Sequence, residues 1–135
     1  MTESNKPLPI TTKWSKPFWE GTKSRKLRLK KCKKCGHIDH PPYLFCTECL
    51  SEECEWIEAS GKGKIYTFST TMLGAPPAFA KDIPYTVGMV DLEEGPRMCT
   101  QFVDAKPDEI RIGMDVEVAF DDVTNEVTLA KFRLT

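Results

Sequence analysis

Two closely spaced cysteine pairs constrain this chain more than any other feature of its sequence. Cys32 and Cys35 form one Cys-x-x-Cys pair, and Cys46 and Cys49 form a second, separated from the first by ten residues. Two residues between thiolates let the backbone turn while both sulfurs point at one ion, and two such turns complete a tetrahedral shell. The pattern predicts a structural Zn²⁺ ion, with iron in a rubredoxin-like site or a redox pair as the alternatives.

The other cysteines and the two histidines are expected to be structural residues. Four thiolates leave no coordination position for water, so the ion is expected not to be catalytic. Cys54 and Cys99 both fall in predicted strands, and we expect each to be a small buried apolar residue. His37 and His40 lie between the two cysteine pairs, where we expect them to line a hairpin and not to act as catalytic bases.

Charge is divided unevenly along the 135 residues. Residues 1–37 carry 11 basic and 2 acidic side chains, whereas residues 38–135 carry 8 and 18, so the net charge is −1. Basic residues at one end suit phosphates or an acidic partner, or they form a solvated face beside the thiolates. No apolar run is long enough to cross a membrane, and no secretory signal is recognised, which favours a reducing, cytoplasmic location.

Residues 1–31 are expected to form an N-terminal arm with one short helix. The pattern predicts this helix over 14–21, after an extended segment without periodicity. Ser15 is a plausible N-cap, Pro17 suits the first turn, and Gly21 is expected to limit the length of the helix.

Four aromatic residues are candidates for contacts with a partner protein. Trp14, Phe18 and Trp19 give the short helix a large aromatic surface, and Phe79 lies in the apolar, proline-rich loop 73–84. Aromatic residues are favoured anchors of interfaces, so we predict a partner contact for at least one residue of the helix. The alternatives are that the helix packs on its neighbouring modules and that the loop folds over the mouth of a barrel.

Residues 32–60 are expected to form a zinc ribbon, and residues 61–135 an all-β module. The ribbon is expected to close with a strand around Trp56. Five short strands are predicted after it, over 64–73, 85–92, 97–103, 115–121 and 126–134. This pattern predicts a mostly β chain ending in a five-stranded Greek-key barrel of the OB type, with an SH3-like barrel as the next choice. We expect the metal to supply stability that burial in modules this small cannot.

The order of these motifs resembles a known family in which a rubredoxin-like zinc ribbon precedes an OB-fold. The family was first catalogued as a domain of unknown function and later linked to acyl-CoA metabolism. The resemblance covers the chain from about residue 14 to its end. The matching motifs are Phe18-Trp19-Glu20-Gly21, Cys32-x-x-Cys35-Gly36, Pro41-Pro42, Cys46-x-x-Cys49, Trp56, Ser60-Gly61-x-Gly63-x-Ile65-Tyr66-Thr67, Pro84-Tyr85-x-Val87 and Ile112-Gly113-x-x-Val116.

The resemblance implies a non-catalytic accessory subunit that stabilises a thiolase-type acyltransferase. Its members border the entrance for the acyl-CoA ester, and the small subunit of benzoylsuccinyl-CoA thiolase is one example. The expected partner is a thiolase-like catalytic subunit in a two-plus-two hetero-oligomer, with Zn²⁺ bound by the four cysteines and a CoA ester bound by the complex. The family often has a glycine after its second cysteine pair, where this chain has Leu50.

The dense basic stretch before the first cysteine pair offers candidates for the phosphates of CoA. We predict this role for Arg25, Lys26 and Arg28 on the charge distribution alone. A free-standing acyl-CoA-binding protein is the alternative function. A single-stranded nucleic-acid-binding module is less favoured, because acidic residues outnumber basic ones over 61–135 and would repel phosphates. The sequence shows no pattern typical of a catalytic site.

Overall fold

A computed structural model describes residues 6–135 of the chain, so the first five residues of the predicted extended arm lie outside it. Residues 6–12 form neither helix nor strand, and helix α1 follows over Lys16–Lys23 with Ser15 at its N-cap position. The prediction that Gly21 limits the helix is wrong. Gly21 is buried inside α1, where an added Cβ would lie 2.9 Å from the carbonyl oxygen of Lys26. Among residues 6–135 no helix is both long and apolar enough to cross a membrane.

The zinc ribbon is built on a small antiparallel sheet. Its strands are β1 (Arg28–Cys32), β2 (Ile38–Asp39) and β3 (Cys54–Glu58), in the order β2-β1-β3. Cys32 at the end of β1 lies opposite Cys54 at the start of β3. The 14 residues between β2 and β3 contain no helix or strand, so this part of the ribbon depends on its turns and on the cysteines.

The second module is a closed barrel of five strands, in the order β4-β5-β6-β8-β7. All pairings are antiparallel except that between β6 and β8. This topology confirms the predicted mostly β fold with an OB-type barrel. The strand bounds are Lys62–Thr71 for β4, Tyr85–Leu92 for β5, Arg97–Val103 for β6, Asp115–Asp122 for β7 and Thr128–Leu134 for β8.

One core connects the ribbon and the barrel. Phe18 on α1 and Leu29 on β1 belong to the same buried cluster as Val90, Val116 and Phe132 of the barrel. Helix α1 packs on both β1 and β8, so it joins the two modules. Burial of these side chains supplies the main apolar driving force for this arrangement.

Strands β6 and β8 form an incomplete seam in the barrel. Their ladder consists of two parallel register pairs, Phe102 with Phe132 and Val103 with Arg133. Beyond these pairs, the hydroxyl of Thr100 donates a hydrogen bond to the carbonyl oxygen of Ala130 at 3.0 Å. The strands therefore separate toward the side on which α1 lies.

Candidate metal centre

The four predicted ligands converge on one point. The sulfur atoms of Cys32, Cys35, Cys46 and Cys49 all lie within 4.8 Å of one another. The Cys32–Cys49 and Cys35–Cys46 sulfur pairs are each 3.5 Å apart. A tetrahedron with Zn–S bonds of about 2.3 Å has S···S edges of about 3.8 Å, so the cluster has the size of a Zn²⁺ site. Four soft thiolates and a full shell suit a structural zinc ion.

Each Cys-x-x-Cys pair and the turn that follows it form a knuckle. The two knuckles hold their sulfurs in the same way. The backbone N–H of Lys34 donates to the sulfur of Cys32, and that of Glu48 donates to the sulfur of Cys46, each at 3.4 Å. The N–H of Cys35, with smaller contributions from other donors, lowers the pKa of Cys32 to about 6, because these donors favour the thiolate. The backbone thus prepares Cys32 to bind a cation.

The four cysteines of the cluster differ in burial, and Cys54 and Cys99 lie outside the cluster. Cys32 and Cys46 are buried, whereas Cys35 and Cys49 are exposed, so one side of the site faces solvent. Cys54 is half-buried, and desolvation raises the pKa of its thiol. The expectation that Cys99 is buried is wrong, because its side chain is exposed on the outer face of β6.

Asp39 ties the two knuckles together and was not recognised from the sequence. Its carboxylate oxygens accept hydrogen bonds from the hydroxyl of Thr47 at 2.6 Å and from the N–H of Thr47 at 3.3 Å. The same carboxylate lies 2.9 Å from Nε2 of His37. His37 therefore lines the hairpin as expected. The signal available in the sequence was an aspartate between the cysteine pairs, where a knuckle offers free backbone N–H groups.

Leu50 occupies a strained position in the second knuckle. Gly36 and Leu50 are equivalent, because their N–H groups donate to the carbonyl oxygens of Cys32 and Cys46 at 3.1 and 2.9 Å. Gly36 has φ +79° and Leu50 has φ +65°. A left-handed conformation costs a residue with a Cβ about 1–2 kcal/mol, and Leu50 is 69% exposed, so burial offsets little of that cost.

We expect Leu50→Gly to stabilise the zinc-loaded chain by about 0.5–1 kcal/mol. Glycine removes the strain of the left-handed conformation, and its greater backbone entropy in the unfolded chain offsets part of that gain. Gly36→Leu is the matched control and should destabilise it by about 1–2 kcal/mol, because an added Cβ at Gly36 meets no atom within 4 Å and only the conformation changes. Denaturant unfolding at saturating zinc measures both. A Leu50→Gly variant less stable than the natural chain would show that the side chain of Leu50 is stabilising.

The basic candidates for CoA phosphates do not converge on one open site. Arg25 donates two hydrogen bonds to the Asp122 carboxylate, at 2.8 and 2.6 Å, and this pairing holds the pKa of Asp122 well below its usual range. The Nζ of Lys26 lies 3.9 Å from Glu58. Arg28 is half-buried in β1, with its side chain against Gly21. The first two cations already have carboxylate partners within this chain.

The aromatic candidates have different environments. Phe18 is 4% exposed and packs in the core, so it does not lie on the surface as a partner contact would require. Trp19 is half-buried beside it, with ring centroids 5.0 Å apart. Phe79 is half-buried, with its ring 5.9 Å from that of Tyr85. Trp14 is 43% exposed and remains available to a partner.

The sequence reasoning named Trp14 as a candidate partner contact but did not identify the apolar residues of the ribbon that lie beside it. Trp14, Leu44 and Trp56 line a groove of about 380 Å³, together with the charged residues Lys13, Lys30 and Glu52. We call this the ribbon groove. Further exposed side chains flank the second knuckle: Tyr43 and Phe45 precede it, and Leu50 follows its second cysteine. The run of apolar residues beside Cys46 was the available signal.

Comparisons with known proteins agree with this architecture. Residues 19–55 match the rubredoxin-like zinc ribbon domain of ChsH2, and residues 56–121 match its C-terminal OB-fold domain. A "DUF35 domain-containing scaffold protein" of Methanothermobacter thermautotrophicus is 42% identical over 71% of this chain and 72% of its own length. This chain belongs to the DUF35 family of zinc-ribbon and OB-fold proteins. The predicted family is thereby confirmed.

Several relatives are named as enzymes or enzyme subunits, and two of these names include a CoA ester. A "probable enoyl-CoA hydratase alpha subunit" of Thermomonospora curvata is 34% identical over 95% of this chain, which spans 40% of that relative. The benzoylsuccinyl-CoA thiolase subunit BbsA of Thauera aromatica is 34% identical over 72% of this chain and 65% of its own length. A solved structure described as "Ltp2-ChsH2(DUF35) aldolase" superposes with a TM-score of 0.84 at 34% identity, covering 94% of this chain and 98% of that chain.

Proposed function

We propose that this DUF35 chain is a non-catalytic accessory subunit of a thiolase-type enzyme that acts on acyl-CoA esters. It docks on the catalytic subunit, stabilises it and borders the entrance for the acyl-CoA ester. The observation that carries this proposal is the exposed apolar surface on the ribbon that holds the four cysteines, in a family whose relatives are named as enzyme subunits. The proposal has three finer parts. The complex is cytoplasmic, it contains two catalytic and two accessory subunits, and its enzyme is a benzoylsuccinyl-CoA thiolase.

The four cysteines would hold Zn²⁺ as a structural ion. When bound, the ion fixes two knuckles to one another and leaves no position for a water nucleophile. The chain's own residues then present a surface. Lys30 lies with its Nζ 5.9 Å from the ring of Trp56 and donates to the carbonyl oxygen of Tyr43 at 2.6 Å, so it links β1 and β3 to the chain segment that carries Leu44.

The ribbon groove has the composition of a protein contact. Trp14 and Leu44 line it and are 43% and 53% exposed, and Tyr43 and Phe45, the neighbours of Leu44 in sequence, are each 44% exposed. Exposed apolar surface of this kind marks interaction sites on small proteins. Tryptophan and tyrosine are the side chains whose truncation most weakens interfaces. Zn²⁺ bound by the four cysteines would fix the turn at Cys46, directly after Leu44 and Phe45, and so would lower the entropy cost of ordering these two side chains on association.

The test is association with a thiolase-type catalytic subunit produced in the same cell and identified by its mass. We expect Leu44→Ser and Trp14→Ala each to weaken the complex at least tenfold. Leu73→Ser is the matched control, because Leu73 is 89% exposed on a barrel loop away from the ribbon groove and should leave affinity unchanged. The isolated chain should convert no acyl-CoA ester.

Two results would contradict the proposal. One is turnover of a thioester by the isolated chain. The other is tight calorimetric binding of CoA esters by a chain that associates with no thiolase-type protein, which would favour a free-standing acyl-CoA-binding protein. Charge reversal of Arg25, Lys26 and Arg28 tests the proposed phosphate contacts separately, since unchanged affinity of the complex for CoA esters would remove them.

A further inference from the structure

Strand β3 is a long free edge of the ribbon sheet. It pairs with β1 on one side only, whereas the barrel closes on itself. Within residues 6–135 the other edge strand of this sheet, β2, has two residues, and β3 has five. The pairing of β3 with β1 runs without a register shift, and β3 contains no proline. The edge therefore lacks the bulge or proline that commonly prevents the addition of another strand.

The backbone groups of alternate residues in β3 point away from β1. The N–H of Lys33 donates to the carbonyl oxygen of Glu53 at 2.9 Å, and the N–H of Ala59 donates to that of Leu27 at 2.7 Å. These bonds fix which pairs of the antiparallel ladder are hydrogen-bonded, and the residues between them turn their N–H and C=O groups to the open side. The residues that turn outward are Cys54, Trp56 and Glu58.

The open edge adjoins the ribbon groove. Cys54 and Trp56 line that groove, and both have outward-facing backbone groups. A residue placed directly opposite Trp56 by an added strand would share its face of the sheet, because opposite residues in a ladder point the same way. An apolar side chain at that position would lie beside Trp56 at the groove.

Glu55 determines the charge that suits the other face of such a strand. Glu53 lies 3.7 Å from a lysine ammonium and Glu58 lies 3.9 Å from another, so both have counter-charges within the chain. Glu55 is exposed, and the part of the chain that the structure describes gives it no ion pair. A basic side chain directly opposite Glu55 would supply one.

The charge of this segment also disfavours a second copy of the chain as the occupant. Residues 52–58 carry four glutamates and no basic residue. Two copies paired through β3 would bring two such sets of carboxylates together, and like charges on adjacent strands repel. A different protein with basic residues is therefore the better occupant.

We infer that β3 receives an extended segment of the catalytic subunit, which adds a fourth strand to the ribbon sheet. The segment carries an apolar residue opposite Trp56 and a basic residue opposite Glu55. Backbone hydrogen bonds to the outward groups of β3 supply affinity, and the alternating side chains supply specificity. This inference rests on the proposed function and specifies how the ribbon holds the catalytic subunit.

Residue-resolved hydrogen exchange tests the inference on the zinc-loaded natural chain, free and in complex with a thiolase-type subunit. In the free chain the outward N–H groups of Cys54, Trp56 and Glu58 should exchange at least about tenfold faster than those of Glu55 and Ile57, which face β1. In the complex the three outward groups should slow at least about tenfold, because the added strand accepts their hydrogen bonds.

Glu58→Pro removes one outward N–H without breaking a hydrogen bond to β1, since proline is tolerated on an open strand edge. We expect it to retain its zinc and to weaken the complex at least about fivefold. Glu58→Ala is the matched control, because it also loses the carboxylate that lies near Lys26 but keeps the N–H. Its affinity should stay within about twofold of that of the natural chain.

Charge reversal tests the predicted basic residue of the partner. Glu55→Lys should weaken the complex at least about fivefold, because it places like charges opposite one another. Glu126→Lys makes the same change at an exposed residue in the turn between β7 and β8, outside the ribbon, and should leave affinity unchanged.

The outcomes separate this inference from the proposed function. A complex in which the three outward N–H groups exchange as in the free chain would overturn the inference and leave the docking proposal intact. A Glu58→Pro chain that binds like Glu58→Ala, or a Glu55→Lys chain that binds like Glu126→Lys, would do the same. Failure of the natural chain to associate with a thiolase-type subunit would overturn both. The exchange measurement uses the natural chain, so it decides the matter even where Glu58→Pro does not fold.

Discussion

Cys46→Ser is expected to abolish zinc binding and to destabilise the chain by at least about 4 kcal/mol. The sulfur of Cys46 is buried and lies 3.5 Å from that of Cys35, so its loss opens the tetrahedron from the inside. The 14 residues between β2 and β3 contain no regular element that could hold the ribbon without the ion. Elemental analysis measures the zinc, and denaturant unfolding measures the stability.

Cys54→Ser and Cys99→Ser are matched controls for this experiment. Each makes the same chemical change outside the four-sulfur cluster. Cys99→Ser should cost less than about 0.5 kcal/mol because the side chain is exposed, and both variants should retain one zinc ion per chain. A Cys46→Ser chain that remains zinc-loaded, or a metal-free chain as stable as the zinc form, would contradict the structural role of the ion.

The cysteine spacing predicted the metal site because coordination imposes a local rule. Two residues between thiolates and a turn after each pair are enough to place the sulfurs, whatever the rest of the chain does. The strand predictions succeeded for a similar reason, since β5 and β6 follow the alternation of their side chains over the predicted ranges 85–92 and 97–103. Strand β4 covers 62–71 and not 64–73, so Met72 and Leu73 lie in an exposed loop.

Alternation alone does not say which face of a strand is inside. On β6, Met98 and Phe102 are buried, whereas Arg97 and Cys99 are exposed. The residue pattern around Cys99 is compatible with either face, and closure of the barrel decides between them. The prediction that Cys99 faces the interior of the barrel is therefore wrong.

The basic N-terminal segment illustrates a second limit of sequence reasoning. A net positive charge over 1–37 pointed to phosphates or an acidic partner. The structure shows Arg25 bound to Asp122 of β7 and Lys26 near Glu58 of β3, so part of that charge is compensated within the chain. Such pairings join residues far apart in sequence, and composition along the chain cannot reveal them.

Burial of the α1 aromatics also depended on tertiary packing. The sequence placed Trp14, Phe18 and Trp19 on one short helix but did not rank their exposure. In the structure Phe18 is buried in the core and Trp19 packs against it, whereas Trp14 precedes the helix and lines the ribbon groove. A stability measurement can separate these two environments.

Phe18→Ala is expected to destabilise the chain by about 3–5 kcal/mol. Phe18 is 4% exposed and contacts Trp19 edge-on and His40, so its truncation leaves a void between α1, the ribbon and the barrel. An eight-residue helix is not stable alone, and α1 should therefore detach when this contact is lost. Denaturant unfolding gives the free energy, and the ¹H–¹⁵N signals of α1 report whether the helix remains docked.

Trp14→Ala is the control for loss of an exposed aromatic side chain from the same segment. It removes a larger aromatic side chain from the same segment, but Trp14 is 43% exposed, so the stability loss should stay below about 1 kcal/mol. The same variant is expected to weaken association with the catalytic partner, whereas loss of Phe18 acts first on folding. Equal stability losses for the two variants would show that α1 does not join the modules through Phe18. The opposite order would place Trp14 in the core and remove it from the ribbon groove as a docking residue.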